Sequence, residues 1–108
     1  MYKGTTPAIP IRFKNAILTE AKVYITLYDE QKKVQYDFVS GTDFILDQSG
    51  YDTVTTLSLT QEQTLAFGNG MIKIQARYVF PDGVAGATQW EGIQIQDVLK
   101  KDVIEYGD

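Results

Sequence analysis

Apolar and polar side chains alternate with a period of two along most of this chain, the spacing that turns one face of a β-strand toward a core and the other toward water. Ile9, Ile11 and Phe13 alternate with Pro10, Arg12 and Lys14. Pro10 has no N–H to give a ladder, so this first predicted strand belongs at a sheet edge. Residues 15–20 read as a loop. Val23, Ile25 and Leu27 then face away from Tyr24, Thr26 and Tyr28, and because both sets are fairly apolar the segment predicts a central strand. Asp29-Glu30-Gln31-Lys32 is a polar link of hairpin length, with Val34, Tyr36 and Phe38 marking the returning arm. Gly41 ends that arm. Residues 44–46 predict a short apolar strand, and Gln48-Ser49-Gly50 a turn into a further strand over 51–59.

Residues 57–80 organise the rest. Leu57 and Leu59 end a strand, and Thr60 and Gln63 stand at the spacing of a capping box, in which a hydroxyl caps the helix start and a glutamine reaches back to it. A helical turn near 61–67 follows. Gly68-Asn69-Gly70 stops it, these residue types tolerating positive φ, and Ile72, Ile74, Ala76, Tyr78 and Phe80 resume the strand period. Pro81-Asp82-Gly83 is a turn signal. The last strand, 84–98, contains Gly86, Trp90 and Gly92, which predict a bend or bulge before Ile93 and Ile95 regain an apolar face. Seven or so strands at regular spacing, joined by turns, predict an all-β fold, an antiparallel immunoglobulin-like sandwich with a core around Leu59, Ile74 and Ile95. The expected organisation is one domain over 1–108: an extended arm at 1–7, the sandwich at 8–98, and a tail at 99–108 that is helical, loose or docked on a partner.

A chain of 108 residues, 44% of them hydrophobic, suffices for one core. Its net charge is −4 and its ten Lys and Arg are scattered, which argues against a phosphate-tracking surface and so against nucleic acid as a partner. Without cysteine there is neither a disulfide nor a thiolate metal site. No apolar run approaches the roughly 18 residues of a membrane span, and the first ten residues lack the apolar stretch of a secretory signal. Synthesis in the cytoplasm is the resulting expectation, with no membrane partner.

The absence of histidine removes the commonest general base and metal ligand. Asp37, Asp43, Asp47 and Asp52 form the one crowd of carboxylates, suited either to a hard cation such as calcium or, as the plainer reading, to solubility and edge protection. Gly68-Asn69-Gly70 follows a helical turn and precedes a strand, the reverse of a phosphate loop. Trp90 is either a core anchor or an exposed contact. Tyr24, Tyr28, Tyr36, Tyr51 and Tyr78 would serve as a sugar platform or as strand-period packing. The residues predict no enzyme, no cofactor and no metal site.

MYKGTTP at the start, LTQEQTL at 59–65, IKIQARYVFPDGVAGAT at 72–88 and VLKKDVI at 98–104 resemble the small proteins of prophages and tailed phages of Gram-positive bacteria. The central portion is similar, more loosely, to the N-terminal immunoglobulin-like domain of phage baseplate upper proteins, without the fibre and receptor-binding regions that follow there. The resemblance implies a non-enzymatic virion structural or accessory protein, made in the host cytoplasm and docked in a tail or baseplate against other phage structural proteins or copies of itself. Capsid decoration and binding of host wall glycans through Trp90 are the alternatives. Because arm and tail hold apolar residues outside the predicted sandwich, the candidate partner-binding residues are Tyr2, Thr5, Pro7, Val103, Ile104 and Tyr106, joined by Trp90 as an exposed contact within the sandwich.

Overall fold

The computed structural model describes residues 1–106. Its elements are β1 (Ala8–Phe13), β2 (Lys22–Asp29), β3 (Val34–Val39), β4 (Asp47–Ser49), β5 (Asp52–Ser58), α1 (Gln61–Ala66), β6 (Gly70–Val79), β7 (Ala85–Ala87) and β8 (Glu91–Ile95). A three-stranded sheet runs β1-β5-β4, and a five-stranded sheet runs β3-β2-β6, with β7 and β8 sharing the far side of β6. All of these pairings are antiparallel. In immunoglobulin lettering the sheets are B-E-D and C′-C-F-G, the Greek-key order of that sandwich.

The period-two pattern explains the core. Val23, Ile25 and Leu27 of β2 are almost fully buried against Phe13, Leu57, Phe38, Ile72, Ala76 and Ile95, and the connections add Leu18, Phe44, Leu59 and Phe67. Of the three expected centres, Leu59 and Ile95 are buried and Ile74 is only half-buried, at the flank of the sandwich. The inward face of β5 is less greasy than a core strand usually is. Thr53 and Thr55 are buried there because each ties down a connection: Thr53 Oγ1 accepts from Leu18 N at 2.9 Å and donates to Ala16 O at 2.8 Å, and Thr55 Oγ1 donates to Ile45 O at 2.7 Å.

Three expectations need correction. Residues 44–46 form no strand: Phe44 makes a single bridge to Ser40 and is buried as a plug, while the strand begins at Asp47 and the turn moves on to Gly50 and Tyr51. The final strand is two strands, giving eight in place of seven. From Ala87 to Glu91 the chain advances four residues while β6 advances three, Arg77 to Ile74, so the predicted bulge is real and splits the strand. Thr88 fills the gap, its N donating to Ala76 O and its Oγ1 accepting from Ala76 N. The arm does not stay outside the sandwich. Tyr2 bridges Gln96 in parallel, Lys3 N donates to Gln96 O, Gln96 N donates to Met1 O, and Leu59 N donates to Pro7 O.

Near α1 the local reading and the structure agree. Thr60 Oγ1 accepts from Gln63 N at 3.2 Å and Gln63 Oε1 accepts from Thr60 N at 2.9 Å, both halves of the capping box. Gly70 alone in the corner takes positive φ, at 117°. Gly68 sits in a tight spot for a different reason: a Cβ there would lie 3.0 Å from Lys32 Cγ and 3.2 Å from Asp29 Oδ2.

Candidate functional site

Arm, tail and α1 meet at one pole of the sandwich. Thr64, fully buried in α1, donates through Oγ1 to Thr5 O at 2.9 Å, and Gly4 packs against Leu65. On the other side of the helix Gln61 holds the tail twice, Nε2 donating to Ile104 O at 3.0 Å and Oε1 accepting from Ile104 N at 2.9 Å. The side-chain amide stands in for a neighbouring strand. The tail is thus not helical over its described part and is tied to α1 at Ile104; Gly107 and Asp108 lie outside the described residues.

The arm and tail here expose apolar side chains among charged ones. Tyr2 is 55% exposed, Ile104 55%, and Leu99 and Tyr106 essentially fully. Of the predicted contact residues, Tyr2, Thr5, Pro7, Val103, Ile104 and Tyr106 gather around this pole, with Pro7 half-buried and the rest exposed. The backbones of Thr5, Pro7 and Ile104 are already engaged by their own chain. What they offer outward is side chain.

Trp90 stands apart, in the bulge on the outer face of the larger sheet. It is 56% exposed, with Lys73 Nζ 4.7 Å from its ring centroid and Glu30 3.7 Å from the same ammonium. Trp90 is therefore exposed and is not a core anchor. The five tyrosines do not form one platform. Tyr24 and Tyr28 belong to the outward set of β2, Tyr36 and Tyr78 pack edge-on against Phe67 and Phe80, and Tyr51 is at the β4–β5 turn. Burial raises the Tyr36 pKa, with Glu62 adding to the rise.

The four aspartates are also dispersed. Asp37 accepts from Thr26 Oγ1 and Gln35 Nε2, Asp43 caps Val39 N, and Asp52 accepts from Asn15 N and Arg12 Nη1. Asn15 N first, and Arg12 second, hold the Asp52 pKa below the usual carboxylate range. Among the described residues no group of three or more Asp or Glu is placed to hold a metal ion. The Gly68 N–H that a phosphate loop would present is occupied by Asp29 Oδ2 at 2.5 Å.

Sequence reasoning missed the roles of Gln61 and Thr64, which read as ordinary members of a capped helix. It also missed a groove on the solvent face of the larger sheet, lined by Tyr24, Arg77, Val79 and Ala85. The alternation of Lys73, Gln75, Arg77 and Val79 marks that face as outward, but alternation carries no information on whether a face is covered. No protein-family model matches this chain, and no curated protein is similar to it in sequence. No helix among the described residues is long and apolar enough to cross a membrane.

Proposed function

We propose that this chain is a non-enzymatic structural module of a tailed-phage particle, docking in the tail or baseplate through the α1 pole. The observation that carries the docking role is the tail: Leu99, Val103, Ile104 and Tyr106 are 40% exposed or more while Gln61 fixes the backbone at Ile104. Large apolar side chains presented on a pinned segment lower the entropy cost of binding a protein partner and leave the sandwich itself unaltered. The particle assignment draws on the sequence resemblance, and the immunoglobulin-like sandwich agrees with its looser half. In this reading the partners are other phage structural proteins and the working location is the virion.

The test compares the full chain with a form ending at Val98 in particles purified from an induced lysogen, by quantitative mass spectrometry. Full-length protein is expected in the particles, and the shortened form, folded by circular dichroism, is expected to stay behind. Equal incorporation would sink the reading. Labelling of the particle separates tail from capsid placement. Exposure of Trp90 supports a second reading, contact with host wall glycan, in which wall polysaccharide shifts tryptophan emission and Trp90→Ala abolishes binding.

A further inference from the structure

The smaller sheet ends at β1, and among the described residues no strand pairs with its outer edge. Strand A stands there in a constant-type sandwich; in this chain the arm runs to β8 instead. One flank is left open. Between β1 and the bulge lies a cleft of about 260 Å³, lined along β1 by residues 9–13 and across from it by Ile74, Thr88, Glu91 and Ile93. Its walls are apolar: Ile9, Ile11, Ile74 and Ile93 pack on the core and still meet solvent.

Glu91 interrupts this lining. It lies opposite Ile74 on β6 and alternates along β8 with the inward-facing Ile93 and Ile95, so it stands on the inner face of the sheet, where the period calls for an apolar residue. Its side chain is exposed, with no ion pair or hydrogen bond among the described residues. Among those residues one other charged side chain lines the cleft, Arg12, and Asp52 engages it at 2.6 Å. The uncancelled charge of the cleft is therefore negative.

We infer that this cleft receives a lysine side chain from an extended segment of a partner protein, with the ammonium against Glu91 and the methylene stem among Ile9, Ile11, Ile74 and Ile93. Lysine suits both halves of the site, because an unbranched apolar stem carries a compact charge at its tip. The cleft follows β1 for about 13 Å at the rise of a strand. An extended segment fits along it, and residues two places from the lysine reach the same walls. Pro10 withholds an edge donor, which leaves selection to side chains instead of a β-ladder. The net charge of −4 favours the approach of a basic segment. This contact lies on the flank and is independent of docking through the α1 pole.

Methyl NMR of the full chain, titrated with three acetylated heptapeptides, tests the inference. Each peptide alternates threonine with valine, a central residue and valine, the central residue being lysine, norleucine or glutamate. The lysine peptide is expected to shift the methyl signals of Ile9, Ile11, Ile74 and Ile93, less so as salt is added, and the glutamate peptide to leave them unmoved. Glu91→Gln is expected to weaken the lysine peptide by about threefold to fivefold, the upper range for a solvent-accessible ion pair, and to leave the norleucine peptide unchanged. Glu91→Lys should reverse the preference and favour the glutamate peptide. Circular dichroism checks that both variants keep the fold. No shift with the lysine peptide would overturn the inference and leave Glu91 as a charge guarding an open flank. Equal responses to lysine and glutamate peptides, or a lysine affinity indifferent to Glu91→Gln, would also overturn it.

Discussion

Asp29 is a charged side chain in the interior, 2% exposed, at the end of β2. Its side-chain oxygens are matched by three backbone donors: Oδ1 accepts from Gln31 N at 3.0 Å and Lys32 N at 3.4 Å, and Oδ2 accepts from Gly68 N at 2.5 Å. It joins the β2–β3 turn to the corner after α1, two segments 39 positions apart. Asp29→Asn keeps the shape but turns an amide donor toward one of these N–H groups, leaving a buried donor unmatched. A loss of about 1–3 kcal/mol in urea unfolding is expected. Gly68→Ala should also destabilise, because its Cβ would crowd Lys32 and Asp29. If both variants unfold at the wild-type midpoint, the latch is not what holds this corner. In sequence Asp29 reads only as the first polar residue of a hairpin link. Its real partner is distant, and spacing cannot disclose it.

At the scale of elements, the sheet edges at β1, β3 and β8 are guarded against pairing with another chain. The β1 register places Pro7 against Leu59, a hydrogen-bonded position, so Ile9, Ile11 and Phe13 also bond toward β5 while Ala8, Pro10 and Arg12 point outward. Pro10 therefore removes a donor from the free edge, where it blunts pairing with another chain. On β3 the outward Val39 is closed by its own loop, its N–H donating to Asp43 Oδ2 and its C=O accepting from Asp43 N. The edge of β8 is covered by the arm. Removing residues 1–6 deletes the hydrogen bonds of Met1 and Lys3 with Gln94 and Gln96, and the shortest of the three acceptor contacts of the buried Thr64 hydroxyl. At about 1 kcal/mol each the loss is expected to reach ~2–4 kcal/mol, with faster hydrogen exchange at Gln96. Unchanged exchange there would mean that the arm is ornamental. The arm's composition gives an extended segment correctly but says nothing of where that segment lies.

On the scale of the whole molecule, acid stability isolates one group. Asp52, Asp97 and Asp102 all have pKa values below the usual carboxylate range, Asp52 chiefly through Asn15 N, Asp97 through Lys101 and Asp102 through Lys100. Asp97 and Asp102 lie beyond β8, so of these three only Asp52 couples to the sandwich, tying β5 to β1 and its following turn. A carboxyl whose pKa is lowered by folding contributes stability above its unfolded pKa and loses it as pH falls through the folded value. Asp52→Asn is therefore expected to be less stable than wild type at neutral pH, with the gap closing below the ordinary carboxylate pKa. A gap of constant size down to strongly acid pH would assign the effect to packing.

The sequence by itself determined most of the strands, the capped helix, the corner and the hairpin turn, because these depend on alternation, φ preferences and hydrogen bonds between residues a few positions apart. Those forces act within a short window of chain, and the window is legible. Tertiary structure alone decided that the arm returns to β8, that Phe44 plugs instead of pairing, that threonines serve the core, and that Trp90 and the Arg77 groove face solvent. Each of these turns on which distant surface arrives opposite, and side-chain period names a face without naming its neighbour.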